Sequence, residues 1–564
     1  ESLNQMQRPY DCLDPEMLPQ ARVSDRRLEL GDAQYDVLVI PPITNLERSA
    51  FEALREFINA DGHVICMGLL PIEDIQEGPS VVEAFSRLTD MEPGRMIRDY
   101  TGHELGVHLI QRGTLHLVRT GGSITRNQAA KQLAFLLDEV LPRNIIAQTK
   151  RKGETQLLCH HRDNGRQQLY FLANESVDAF EAQVHLQMPS TQFGKVEKWD
   201  LETGKRIVLP AQKTDHQFTL PLAFAPLQSH LIVISESKTS AKVTAPDFDL
   251  VPLSLKGNWK IDPEEDNALR LDQFRMKIDL QNRGQKQGWH RPDYADSRWT
   301  KVTPKPFIEQ LRDLSNLSSL PITLTESENG LPVTPNIRLP LICWFRTTFA
   351  ADVVPSKLAL VMDRGALLGN YQVYFNGSRL PSNAFRPTFR YDHNNVTCAI
   401  GRRVTKGKNV IAIRMEINDL TEGVVDAFYL FGRFRVKSWR NIYLRLVPPL
   451  ERGPFHSLDT LGMPFYAGTV AYTKDFSFTK RPPSEQFVLD LAKEFKNFSD
   501  IVEVQINGHS LGVRPWTPYV WTGDSDWLKP GKNRVTIRIT NTLARLLTGR
   551  EFQTRTHKMS PVKV

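Results

Sequence analysis

The chain is 564 residues long, with 71 basic and 64 acidic side chains, a formal charge of +7 and five cysteines. At roughly 150 residues per domain this length predicts about four domains, each able to bury its own core. The small, dispersed charge argues against a nucleic-acid reader, which gathers its Lys and Arg on one face. No apolar run reaches the roughly 18 residues that a membrane-spanning helix needs. Cys12, Cys66, Cys159, Cys343 and Cys398 have no CxxC spacing and no His-rich companion, so they signal neither a disulfide scaffold nor a zinc site and read as buried structural thiols. The chain opens with "ESLNQMQRPYD", without a methionine, so the lack of a leader-like stretch decides nothing about targeting.

The first segment reads as α/β. "YDVLVIPP" (residues 35–42) is a continuous apolar run, the pattern of a strand buried on both faces. Thr44 and Glu47 have capping-box spacing ahead of a helix in which Leu46, Ala50, Ala53, Leu54 and Phe57 share one stripe, and Gly62 marks its stop. "HVICMG" is a second strand, completing a βαβ unit, and "TRNQAAKQLAFLLDEVLP" a later helix. The first strand ends in Pro41-Pro42 rather than a Gly-x-Gly-x-x-Gly turn, and Cys66 lies inside a strand rather than on a nucleophile elbow. This segment reads as scaffold.

From about residue 148 the period becomes two. "TQLLCHHRDNGRQQLYFLANES", "AQVHLQMP", "KVEKWDLETGKRIVLP" and "SHLIVISES" predict a small β-sandwich, with turns at Asn164-Gly165 and Thr203-Gly204. His160 and His161 are adjacent on a strand, face opposite ways and cannot chelate one metal together.

A repeat follows. "CWFRTTF", "KLALVMD", "YQVYFNG" and "VTKGKNVIAIRMEIN" occur in that order, and then "VAYTKDF", "QFVLDLA", "VEVQING" and "LKPGKNRVTIRITN" occur in the same order. Asn376-Gly377 and Asn507-Gly508 suit type I′ hairpins, while Gly407 and Gly531 each open a final alternating strand. Two copies of one β-sandwich are expected, with these turns equivalent.

"NGHSLGVRPWTPYVWTGDSDWLKPGKNRVTIRITNT" resembles the C-terminal galactose-binding-like jelly roll of the α-L-rhamnosidases of glycoside hydrolase family 106 and their relatives. "GMPFYAGTVAYTKDF" is similar to the segment that precedes that domain, and "DYADSRWTKV" with "CWFRTTF" resembles the sugar-binding domain shared with family-2 glycosidases. "HRDNGRQQLYFLAN", "EKWDLETG" and the opening α/β stretch follow the order found after those enzymes' barrel. The resemblance implies a multidomain, mainly β chain. Residues 1–146 would be a partial α/β (Rossmann-like, flavodoxin- or amidotransferase-like) layer and 147–245 a small β-sandwich. Residues 246–440 and 441–564 would be galactose-binding-like jelly rolls. It also implies a periplasmic or secreted protein that meets plant or bacterial polysaccharide side chains.

In that family the catalytic carboxylates sit on a preceding (β/α)₈ barrel, which needs about 200 or more residues of alternating strand and helix. No stretch of this sequence supplies it, so the family's catalytic residues are carried onto no position here. The expectation is the non-catalytic C-terminal portion of a longer hydrolase, with the barrel upstream in the same polypeptide; a stand-alone carbohydrate-binding or interaction protein is the alternative. Glycoside hydrolysis needs two carboxyls about 5–10 Å apart, and the acidic groups at hand read as turns and loops: 262–266 ("DPEED"), Asp200 with Glu202, and Asp524 with Asp526. The last pair carries a weak signal for a structural calcium ion, with a plain turn preferred; no other metal or cofactor is expected. Sugar rings stack on aromatics, and Arg514, Trp516, Tyr519 and Trp521 crowd into eight residues, making them the carbohydrate-binding candidates. Pro515 and Pro518 favour the competing reading, in which these rings staple the loop to its own sandwich. Trp259, Trp289 and Trp299 read as core.

Overall fold

A computed structural model describes residues 3, 6–43, 45–67, 80–89, 109–112, 114–118, 126–149, 157–188, 190–236, 251–252, 255, 257–311, 322–323, 336–337, 339–439, 443–453, 455, 458–478, 486–491, 500–553, 555–556 and 558–564. The chain forms two compact units, Glu1–Pro246 and Asp247–Val564.

In the first unit, Val37–Ile40 pairs in parallel with His63–Met67, which pairs in parallel with Leu115–Val118; Leu109–Arg112 closes the sheet antiparallel. Phe51, Leu54 and Phe57 of helix Arg48–Asn59 pack with Val64 and Cys66. Leu133, Leu136 and Leu137 of helix Arg126–Val140 pack with Ile65 and Val118 on the other face. Helices on both faces explain why these strands are apolar without alternation. One local expectation needs correction. Glu47 is itself the N-cap and makes no side-chain cap bond, so it does not stand three residues into the helix as a capping box requires; Thr44 lies outside the described residues. Gly62 does stand just past the helix end, where Asp61 takes the left-handed conformation, with φ 62°. Gly62 is required for space, because a Cβ there would lie 2.2 Å from the Phe57 ring. Residues ahead of the sheet form a meander, Arg22–Ser24, Arg27–Leu30 and Ala33–Tyr35, which the sequence did not signal.

The same unit holds a β-sandwich. Its five-stranded sheet runs in the order Arg206–Val208, Phe193–Trp199, Ser229–Glu236, Gln167–Asn174, Leu157–Asp163; its four-stranded sheet runs Gln212–Lys213, Gln217–Phe224, Phe180–Gln187, Ile145–Thr149. Tyr170, Leu172, Val184, Leu186, Phe218 and Ile232 meet between them. The turn glycines Gly165 and Gly204 both have positive φ, 82° and 69°. Of the five thiols, Cys66, Cys343 and Cys398 are buried, whereas Cys12 is exposed and departs from the structural reading.

The second unit contains the repeat. In its first copy, Leu341–Ala351 pairs with Gly407–Ile417, which pairs with Asn370–Phe375, which pairs with Ser378–Leu380. In its second copy the same positions are filled by Thr469–Phe478, Gly531–Thr540, Ile501–Ile506 and His509–Arg514. Across each sandwich, Ala359–Asp363 pairs with Asn395–Ala399, and Gln486–Asp490 with Val520–Asp524. Each copy has its own core: Phe345, Ile411 and Ile413 belong to the first, Val504, Val535 and Ile537 to the second. The hairpin turns match residue for residue, with φ 47° and 84° at Asn376-Gly377 and 52° and 88° at Asn507-Gly508. Gly407 and Gly531 have φ 89° and 87°. The architecture is multidomain and mainly β, with an α/β layer and three β-sandwiches.

Sheet edges cross the division at residue 440. Trp259–Pro263 pairs with Thr469–Phe478, the place that Phe274–Ile278 takes beside Leu341–Ala351 in the other copy. Val251–Pro252 pairs with Gln486–Asp490, and Tyr443–Val447 returns to pair in parallel with Leu341–Ala351. Alternation along a strand states which face is buried, not which sheet edge the strand will join.

Candidate carbohydrate-binding loop

Residues 515–519 connect strand His509–Arg514, at the edge of its sheet, to Val520–Asp524 in the opposite sheet. The four residues singled out from sequence separate into two roles. Trp521 and Tyr519 are 1 % and 2 % exposed and belong to the second repeat's core, their rings 6.3 Å apart. The Tyr519 hydroxyl donates to the Asp500 carbonyl at 2.7 Å, and burial pushes its pKa up. Neither ring has a free face for a ligand. Trp516 is 41 % exposed and Arg514 half-buried. The loop is therefore stapled at its C-terminal side and presents one indole outward.

The acidic groups are engaged structurally. Glu265 accepts from the Tyr466 hydroxyl at 2.7 Å and the Thr469 amide at 2.8 Å; Glu264 pairs with Arg538, and Asp266 with Arg390 and Arg433. The solvated-loop reading of 262–266 therefore misses these anchoring contacts, which join strands far apart in sequence. Asp524 Oδ1 accepts from the Asp526 amide at 2.8 Å, capping the turn Ser525–Trp527, and Asp200 Oδ1 accepts from the Glu202 and Thr203 amides. Asp500 differs: burial raises its pKa to about 6, Arg545 opposing and Glu551 reinforcing the shift. Among the described residues no group of three or more His, Cys, Asp or Glu is placed to hold a metal. A small cleft, partly open to solvent, has Ile261, Leu450, Leu461 and Met463 in its lining, with Glu265 and Arg433 among its polar groups.

The stretch of the first repeat between the same two turns, residues 381–394, holds no tryptophan and gives no such cluster in the sequence. It crosses from the edge strand Ser378–Leu380 to Arg386–Pro387, which pairs with Asn395–Ala399 in the opposite sheet, so that residues 388–394 form the turn of a hairpin. Phe389, at its tip, is 65 % exposed, the most exposed large hydrophobic residue among those described. The signal available was positional: an aromatic between the Asn-Gly turn and the Gly-Lys-Asn turn in both copies.

No protein-family model matches the chain. No curated protein matches it either. Among solved structures it is similar to a rhamnosidase from Novosphingobium sp., at 14% identity and TM-score 0.30, over 75% of this chain and 36% of that one. It is also similar to a beta-glucuronidase from Ruminococcus gnavus, at 11% identity and TM-score 0.20, over 53% of this chain and 44% of that one. An exo-chitosanase from Amycolatopsis orientalis aligns at 14% identity and TM-score 0.23, over 48% of this chain and 28% of that one. The chain spans less than half the length of each.

Proposed function

We propose that this chain is a non-catalytic, carbohydrate-binding portion of a glycoside-hydrolase-like protein of the α-L-rhamnosidase type, with an upstream barrel as its catalytic partner. The observation that carries the binding role is Trp516, an indole held in solvent by a loop whose neighbouring rings, Tyr519 and Trp521, are fixed in the core. An aromatic face presented on a rigid mount stacks on the C–H face of a sugar ring at little entropic cost. The substrate class is a polysaccharide bearing rhamnose-containing side chains, and the compartment is periplasmic or extracellular. The motif resemblance supports the enzyme class; the engagement of the acidic 262–266 stretch in structural contacts is in keeping with a scaffold role for this portion. The test is titration of the purified chain with a rhamnose-containing polysaccharide: saturable binding supports the reading, and its absence removes it.

A further inference from the structure

We infer that the first repeat carries a second carbohydrate-binding subsite, on residues 381–394, with Phe389 as its stacking platform. This rests on the reading of Trp516 but uses different residues and different observations.

The loop is built rather than loose. Asn395 is fully buried, and its Oδ1 accepts from three successive amides, Arg390, Tyr391 and Asp392, at 3.2, 3.0 and 3.1 Å. Its Nδ2 donates to Asp363 Oδ1 at 2.5 Å, tying the loop to the neighbouring strand. Tyr391, half-buried, packs edge-on against the buried Tyr429 at 5.2 Å. A loop so held has no need to expose a phenyl ring, and burying one contributes about 1.5–3 kcal/mol. Phe389 nevertheless points outward, with the exposed His393 ring 5.1 Å away.

The rim is polar and mostly cationic. Arg386 is exposed; Arg390 lies over Phe431 at 5.5 Å and pairs with Asp266 at 3.3 Å; Asp392 supplies the acidic group, its Oδ1 accepting from the Asn394 amide. An exposed ring with an imidazole beside it, and the exposed Arg386 on the strand leading into the turn, offer a pyranose a face to stack on and donors for its oxygens. Each copy thus presents one outward ring between its Asn-Gly turn and its Gly-Lys-Asn turn, Trp516 on the crossing between sheets and Phe389 on a hairpin of the opposite sheet. One chain would hold two sugar residues at two loops, and a polymer reaching both would gain affinity by effective concentration.

The experiment is calorimetric titration with a short rhamnose-containing oligosaccharide, reading sites per chain. The parent is expected to give two; Phe389→Ala and Trp516→Ala each one; the double variant none. Phe389→Ala should melt like the parent, because the ring is exposed, and Arg386→Ala is the second variant should it not, with an expected several-fold weaker affinity at one site. One site in the parent, lost in Trp516→Ala and unchanged in Phe389→Ala and Arg386→Ala, overturns the second subsite and leaves the proposed function standing. No binding by the parent overturns both.

Discussion

Asn376 and Asn409 hold each other: Nδ2 of Asn376 donates to Oδ1 of Asn409 at 2.8 Å, and Oδ1 of Asn376 accepts from the Val410 amide at 2.9 Å. Asn507 and Asn533 repeat the arrangement, with Nδ2 to Oδ1 at 2.7 Å and the Arg534 amide to Oδ1 of Asn507 at 2.9 Å. Asn409 and Asn533, both fully buried or nearly so, also donate to the carbonyls of Thr405 and Gly407, and of Lys529 and Gly531. The hairpin turn and the entry to the last strand are thereby locked together in each copy.

Replacing Asn409 or Asn533 by Ala should cost on the order of 3 kcal/mol each, since several buried backbone groups lose their partners. Denaturant unfolding with a probe in each copy should show the loss confined to the mutated one, and the two losses should add.

Trp516 and Trp521 should respond oppositely to truncation. Trp521→Ala opens a cavity in the second core and should cost about 3–5 kcal/mol. Trp516→Ala should change stability by less than about 0.5 kcal/mol, as expected at an exposed position. Thermal melts of the two variants check this directly.

Asp500 supplies a pH prediction. Its folded pKa, raised to about 6 chiefly by burial, lies above the usual carboxylate value, so the folded form binds the proton more tightly than the unfolded one. Ionised Asp500 therefore opposes folding at neutral pH, and this penalty fades as pH falls from about 6 towards 4. Asp500→Asn should raise the melting temperature at pH 7.5, leave it nearly unchanged at pH 4, and flatten the profile between. The Tyr519 bond survives the change, because it goes to the backbone carbonyl.

Purified chain should not turn over an aryl α-L-rhamnoside. Hydrolysis needs an acid and a second carboxylate about 5–10 Å apart across the sugar, and Glu264, Glu265 and Asp266 are each paired within the fold. Turnover abolished by changing one acidic residue would place an active site in this chain.

Much of the fold was legible because its turns demand particular residues. Asn-Gly and Gly-Lys-Asn mark positive φ and strand entry, so two copies could be seen without coordinates. The buried amide roles of Asn409 and Asn533 could not, because their partners in the opposite turn lie 33 and 26 residues away. Nor could the exchange of Trp259–Pro263 into the last sandwich, since its alternation is the same beside either sheet. The candidate site was half legible. Period two would have turned Tyr519 and Trp521 inward together, with Gly523 on the same buried side, and left Trp516 as the outward ring.

The most direct measurement is calorimetric titration of the parent and of Trp516→Ala with a rhamnose-containing polysaccharide, each at a temperature where both are folded. The account predicts saturable binding by the parent and at least tenfold weaker binding by a variant that melts at the same temperature. Equal binding by the two, or none by the parent, would contradict it.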